Sequence, residues 1–389
     1  MKIPILDLKA QYETIKNEIN AKVLEILPTQ NFILGAEVNA LESEIAAYSG
    51  AKFAVGVSSG SDALIISLMA LGIEAGDTVI TTPFTFFATA GAIARLGARA
   101  VFSDIDATTW NLDPEQLEAT IKRLRKTGRG RRLKAVLPVH LYGQCADMDP
   151  ILSLARRHGL VVVEDAAQAI GSEYPSKRGF KRAGTMGTLG TLSFYPSKNL
   201  GGYGDGGMVL VNNRKLATKL RCLRVHGGVK KYHYRILGGN FRLDALQAAV
   251  LRVKFRHLDD WLKKRLARAE HYNQIITASG LETAGFVRPP RAIYKESGAP
   301  NYHTYHQYVI RAKKRDRLQV FLKEKGVGTS VFYPLSLHEQ KCFSNLGYKR
   351  GDFPVSEKAA KEALALPMYP ELTSEQQSYV VSCLAQFYG

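Results

Sequence analysis

Between about residues 50 and 212, short apolar or β-branched runs alternate with amphipathic stretches. Phe53–Val57, Thr78–Thr82, Ala100–Ser103, Ala135–Val139, Leu160–Glu164, Thr191–Tyr195 and Met208–Val211 have the composition and length of strands. Asp62–Leu71, Thr85–Leu96 and Asp149–His158 place apolar residues at helical spacing. This alternation predicts an α/β fold with a mostly parallel central sheet and helices on both faces. Ligands of such sheets collect beyond the carboxyl ends of the strands. The residues falling there are Ser59-Gly60-Ser61, Thr85-Phe86, His140, Asp165 and Ser193.

Past residue 243 the pattern changes. An Ala- and Leu-rich stretch from Leu243 to about Tyr272 predicts one long helix. Tyr305–Arg311 and Thr329–Tyr333 read as strands, Arg315–Lys325 and Ser356–Ala363 as helices. The expected organisation is a large domain over residues 1–250, then a linking helix and a small α+β domain over 251–389. Pro289–Asn301, with its Pro and Gly residues, is the stretch expected to be most mobile.

Composition narrows the class. A chain of 389 residues, 46% hydrophobic and 23% charged, suits a two-domain globular enzyme. No run approaches the roughly 20 apolar residues of a membrane span, and Met1-Lys-Ile-Pro-Ile-Leu-Asp-Leu8 lacks the pattern of a signal peptide. Cys145, Cys222, Cys342 and Cys383 are scattered, with neither a CxxC pair nor zinc spacing, so free thiols, a reducing cytoplasm and no metal are expected. The formal net charge of +18 is the odd feature. It would draw in nucleic acid, anionic lipid or an anionic small substrate. Much of it lies in Lys122–Lys134, which reads as a helix end running into a solvated, Gly-containing loop. No aromatic residues interleave those basic ones, and no nucleic-acid recognition module is evident, so nucleic acid is not expected as a partner.

Two motifs carry chemistry. Lys198 sits in Thr191-Leu-Ser-Phe-Tyr-Pro-Ser-Lys198, ahead of the glycine-rich run Gly201-Gly-Tyr-Gly-Asp-Gly-Gly207, and Glu164-Asp-Ala-Ala-Gln168 ends an apolar strand. A lysine on a tight backbone after a strand can form a Schiff base with an aldehyde cofactor. A carboxylate at a strand's carboxyl end can keep a pyridinium nitrogen protonated. Pyridoxal phosphate (PLP) enzymes need both. Taken alone, Lys198 could be an exposed loop lysine and Asp165 a helix N-cap; the pair favours the cofactor. Ser59-Gly-Ser-Asp-Ala-Leu64, just before a helix, could be only a turn and cap. With Ser193 it makes a two-sided phosphate cup from Gly60, Ser61 and Ser193. Phe86 could lie over a planar ring or belong to the core, and Gln168 could reach the phenolic oxygen of the cofactor.

With these motifs in place, the chain resembles, essentially end to end, the sugar-nucleotide aminotransferases of the DegT/DnrJ/EryC/StrS group, which are fold type I PLP enzymes. The resemblance is carried by Ile5-Leu-Asp-Leu-Lys9, Phe32-Ile-Leu-Gly35, Ser59–Leu64, Val139-His-Leu-Tyr-Gly-Gln144, Glu164–Gln168, Ser193–Lys198, Asn240-Phe-Arg-Leu-Asp-Ala-Leu-Gln-Ala-Ala249 and Tyr333-Pro334. It implies that Lys198 carries the cofactor and Asp165 partners its ring nitrogen. Gln168 would contact the ring oxygen, Phe86 would stack, and Gly60, Ser61 and Ser193 would hold the phosphate. Asn240 would reach the cofactor phosphate of a partner subunit and Arg242 would enter the same composite site, so a homodimer is implied. Tyr333 and His338 are candidate sugar contacts, with His306 and His140 left open. The implied reaction moves an amino group from L-glutamate to a nucleotide-linked keto-sugar, at C3 by the look of the Val139–Met148 and Ser193–Gly207 regions. Group members with dehydratase chemistry carry histidine where this chain has Lys198. Another PLP chemistry, or a PLP-binding regulator, remain the rival readings. Ser61 stands where threonine is common in the group, and the basic Arg125–Arg132 segment is longer than usual.

Overall fold

The apolar runs become the strands of a seven-stranded sheet whose two faces bury different side chains. The computed structural model describes every residue except Arg178, and the backbone alone at Arg129. Helices α1 (Leu8–Ile26) and α2 (Ala36–Ser49) lead into β1 (Phe53–Val57), α3 (Gly60–Ala70), β2 (Thr78–Thr81), α4 (Phe87–Arg95), β3 (Arg99–Phe102), α5 (Pro114–Lys126), β4 (Leu133–Leu137), α6 (Met148–His158) and β5 (Val161–Asp165). A hairpin of β6 (Glu173–Ser176) and β7 (Gly179–Arg182) precedes β8 (Leu189–Ser193), β9 (Gly207–Val211) and α7 (Arg214–Leu223). The strand order is β1-β9-β8-β5-β4-β2-β3. Every pair from β8 to β3 is parallel, and β9 runs antiparallel to both β1 and β8.

The period-two alternation of each strand separates two cores. Ala54, Ile80, Val101, Val136 and Val162 pack with α2, α5 and α6. Val55, Val79, Ala100, Ala135, Val163 and Val209 pack with α3, α4 and α7. Each buried Val or Leu contributes about 1.5–3 kcal/mol, and a slip of one residue would put every side chain on the wrong face, so register is firmly set. Helix ends follow local chemistry. The Asp113 side chain accepts from the N–H groups of Glu115 and Gln116 to start α5, and Arg123, Arg125 and Lys126 end it, complementing the helix dipole. The basic 122–134 segment is thus the last turn of α5, a short turn at Arg129–Arg132 and the first residues of β4; the side chain of Arg129 lies outside the described residues.

The remainder comprises a hairpin of β10 (Gly228–Lys230) and β11 (His233–Tyr234), helices α8 (Ala245–Phe255) and α9 (Leu258–Ala278), then β12 (Val287–Arg288), β13 (Tyr308–Ala312), α10 (Arg315–Glu324), α11 (Pro354–Glu362), β14 (Ala363–Leu366) and α12 (Ser374–Tyr388). Strands β12, β13 and β14 form a small antiparallel sheet. Two expectations fail here. The helix expected from Leu243 to Tyr272 is two helices. Hydrogen bonding tightens to Arg256 N–H→Val253 O and His257 N–H→Lys254 O, and α9 restarts with Asp259 and Asp260 at its positive end. Thr329–Tyr333 makes a single bridge, Ser330 with Ala365, and the strand lies instead at Ala363–Leu366. Those four residues are good helix formers, but all are buried beside β13, and packing overrides propensity. No helix among the described residues is long and apolar enough to cross a membrane.

Candidate active site

At the carboxyl edge of the sheet lies a cavity of about 630 Å³. One end of it is built around glycine. Ser193 closes β8 opposite Gly207, and Gly207 also pairs with Val57 at the end of β1. The start of α3 is thereby pressed against both strands. A Cβ on Gly60 would lie 2.6 Å from the Ser193 Cβ, and one on Gly207 would lie 2.4 Å from the Ser59 carbonyl oxygen. Ser59 caps α3 by accepting from Asp62 N–H at 3.0 Å. The first-turn amides of Gly60 and Ser61 have no intrahelical acceptor and sit at the positive end of the helix, which suits an anion.

Across the cavity stand Asp165 and Lys198. The Asp165 carboxylate accepts from the Thr89 hydroxyl at 2.8 Å and from Ala167 N–H at 3.2 Å. Thr89 is itself 3.1 Å from Thr85. Burial raises the proton affinity of Asp165, against the hydrogen bonds from Thr89 and Ala167 and the charge of Lys198. Burial lowers the Lys198 amine to about 8, with Asp165 opposing the shift. A cation facing Asp165 would remove the cost of its burial, and an amine near 8 supplies neutral nucleophile close to physiological pH.

The walls collect most of the remaining candidates. Gln168 accepts from Tyr142 N–H at 2.7 Å and donates to the Tyr333 hydroxyl at 3.0 Å; its second N–H is available to a ligand. Phe86, at the start of α4, is 56% exposed and lines the cavity, its ring 6.2 Å from that of Tyr333. Asn240 and Arg242 line an adjoining depression of about 510 Å³ that shares Ser59 and Asp205 with the cavity. They are near the cavity but not in its wall.

Two histidines lie elsewhere. His338 is buried with its Nε2 3.1 Å from Glu357 and its ring against Phe353, so it does not line the cavity. His140 accepts from Ala146 N–H through Nδ1 and therefore donates through Nε2 to Glu164, on the opposite side of β5 from Asp165. Asp205 and Gln307 line the cavity and were not expected. Neither was Thr89, which is buried and bonded to Asp165 without lining the cavity, and whose sequence signal is a hydroxyl inside an otherwise apolar helix. His306, left open above, also lines the cavity, and burial first, then the charges of Lys198 and Arg265, hold it neutral. Among the described residues no three His, Cys, Asp or Glu side chains converge as a metal site.

The donor set fits PLP: an amine for its aldehyde, a buried carboxylate for its ring nitrogen, an exposed aromatic for its face, and a glycine-built helix start for its phosphate. The profile of the DegT/DnrJ/EryC1/StrS aminotransferase family matches residues 13–385. A Geobacillus stearothermophilus protein named "Pleiotropic regulatory protein" is 52% identical over 100% of this chain and 99% of its own length. The UDP-N-acetyl-3-dehydro-alpha-D-glucosamine 3-aminotransferase of Acidithiobacillus ferrooxidans is 39% identical over 98% and 97%. The crystal structure of S. venezuelae DesV with a ketimine intermediate superposes with a TM-score of 0.90, at 38% identity and covering 99% of this chain and 98% of that one.

Proposed function

The chain belongs to the DegT/DnrJ/EryC1/StrS aminotransferase family, and within it we propose that it carries an amino group from L-glutamate to C3 of a nucleotide-linked keto-sugar, working as a cytoplasmic homodimer. It is a PLP-dependent aminotransferase. The observation that carries the proposed residue roles is the facing pair of Lys198 and Asp165 in one cavity, the amine lowered by burial.

Bound PLP supplies an aldehyde for Schiff-base chemistry and a ring that takes up electron density. Lys198 supplies the amine that binds the cofactor. Once displaced by the amino donor, the same amine takes the proton from the donor's Cα and returns it at the sugar carbon that gains nitrogen. Asp165 holds the proton on the ring nitrogen throughout. The first-turn amides of α3, with Ser61 and Ser193, bind the phosphate, while Phe86 and Gln168 fix the plane and the ring oxygen. One water supplies the carbonyl oxygen of 2-oxoglutarate in the first half-reaction and the sugar carbonyl oxygen leaves as water in the second, so oxygen, nitrogen and protons balance. Tyr333, in the cavity wall, would contact the sugar.

C3 is supported by the name of the A. ferrooxidans relative, a 3-aminotransferase acting on a UDP-sugar. The homodimer is supported by Val229, Tyr232, Tyr234 and Leu237, exposed at 54, 77, 60 and 91%, on and beside the β10–β11 hairpin. Such a patch is unfavourable in water, and a second copy would cover it. It would also bring the partner's counterparts of Asn240 and Arg242 toward the cavity, where an arginine suits a diphosphate. The net charge of +18 fits an anionic substrate. A cytoplasmic site is supported by four free cysteines.

The test has two stages. PLP-loaded protein given L-glutamate alone should lose the absorbance of the lysine-bound cofactor and release 2-oxoglutarate. Nucleotide-linked 3-keto-sugars should then be aminated, with the position read by NMR of the product. Amination of 4-keto-sugars alone would overturn the C3 assignment. The 52%-identical relative named for regulation favours a second reading, a PLP-binding regulator. That reading requires cofactor binding without turnover of any sugar nucleotide.

A further inference from the structure

One buried cation has no part in the chemistry above. Lys254, on α8, is 2% exposed. Its Nζ donates to the Gly201 carbonyl at 2.6 Å and lies 5.0 Å from the centre of the Tyr203 ring. Among the described residues no carboxylate pairs with it, and burial alone lowers its amine to about 8. An ammonium buried this way costs several kcal/mol, which an apolar side chain of the same length would not. Its value must lie in what it holds.

What it holds is the loop that carries Lys198. That loop turns back on itself through Lys198 N–H→Tyr195 O at 2.8 Å and Gly202 N–H→Phe194 O at 2.7 Å. The fold-back is so close that a Cβ on Gly201 would sit 2.3 Å from the Pro196 carbonyl oxygen. Two contacts tie the loop to α8. One is Gly201 O to Lys254, and the other is Tyr203 N–H to the Gln247 side chain at 2.8 Å. Asn199 is tied separately, to the Thr304 carbonyl at 3.1 Å. A charged donor on a carbonyl is roughly twice as strong as a neutral one.

We propose that Lys254 is a positioning residue, fixing the Gly201 carbonyl so that the Lys198 amine is held at the distance and angle the cofactor and substrate require. This rests on the reading of Lys198 as the cofactor lysine, but not on any sugar.

The test compares wild type, Lys254→Met and Lys254→Arg by four readouts. These are hydrogen exchange of the 199–204 amides in cofactor-free protein, the rate at which added PLP is captured, kcat against KM, and the thermal midpoint. Lys254→Met should speed exchange in the loop and slow both PLP capture and kcat by about tenfold, since small displacements of a reacting group are costly. KM for the amino acceptor should change by less than about twofold and the thermal midpoint should hold or rise, because a buried charge is gone. Lys254→Arg should restore most of the rate. Unchanged exchange and capture in Lys254→Met would overturn the proposal. So would a Met variant that fails to fold, or one that loses stability and kcat together without rescue by Arg, since each marks a purely structural lysine. Failure of the wild type to capture PLP would instead overturn the reading of Lys198.

Discussion

Glu164 and Asp165 are adjacent on β5 and face opposite sides of the sheet, and the two carboxylates have opposite circumstances. Glu164 is saturated: one oxygen accepts from the N–H groups of Met186 and Gly187, the other from Gly184 N–H and His140 Nε2. Asp165 has only Thr89 and Ala167 as hydrogen-bond donors, and an open cavity in front of it. Both are buried. The difference teaches how to tell a carboxylate that holds a fold together from one reserved for a ligand. Unused acceptor capacity facing a void is the mark of the second kind, because burial without partners is tolerated only where something else will arrive.

This comparison can be broken by mutation. The largest effect should come from the other half of the reserved pair. Lys198→Ala is expected to lower transamination by about 10³-fold or more while PLP still binds non-covalently, measured by turnover and by equilibrium dialysis of the cofactor. Appreciable residual transamination would remove Lys198 from its role. Asp165→Asn should cost about 10²–10³-fold in kcat yet leave the thermal midpoint unchanged or higher, because it deletes an under-partnered buried charge. Glu164→Gln should do the reverse. Stability should fall by about 3 kcal/mol in a denaturant titration, because an amide nitrogen would then meet backbone N–H donors, while kcat per folded molecule stays within a few-fold. If these two variants behave alike, the distinction drawn from their donors is wrong.

Smaller effects sharpen the contrast. Lys198 is lowered to about 8 in the cofactor-free protein. PLP capture should therefore accelerate as pH rises through that value, by about tenfold between pH 7 and 9, since only the neutral amine attacks. A flat profile over that range would place the amine elsewhere. Thr89→Val removes the 2.8 Å donor to Asp165. The proton affinity of Asp165 should rise further and kcat should fall by about fivefold, equivalent to one hydrogen bond of roughly 1 kcal/mol. The acidic limb of the pH–rate profile should move upward with it.

Much of the cavity's lining was legible in the sequence. Lys198, Asp165 and the Ser59–Ser61 turn are local statements: a residue type at the end of a strand or the start of a helix, fixed by periodicity and capping. His338 shows the limit. Its chemistry suits a sugar contact, but its neighbours are Glu357 and Phe353, distant in sequence, and they enclose it. Thr89 shows the opposite failure. Nothing within α4 says that its hydroxyl will meet a carboxylate from β5, because that contact exists only once β2 and β5 take their places in the sheet.

The same division runs through the whole molecule. By itself the sequence determined which segments are strands in the large sheet, where the glycine-built turn before α3 falls and which lysine and aspartate stand at the carboxyl ends of strands, since alternation, capping and backbone reach act over a few residues. Tertiary structure alone decided which of two adjacent carboxylates is saturated. It also decided that the strand beside β13 lies at Ala363–Leu366 and not at Thr329–Tyr333, and that a buried lysine on α8 grips the loop of Lys198. Those outcomes depend on partners brought together by packing, and a donor or a void contributed by a remote element leaves no mark on the residues it will face.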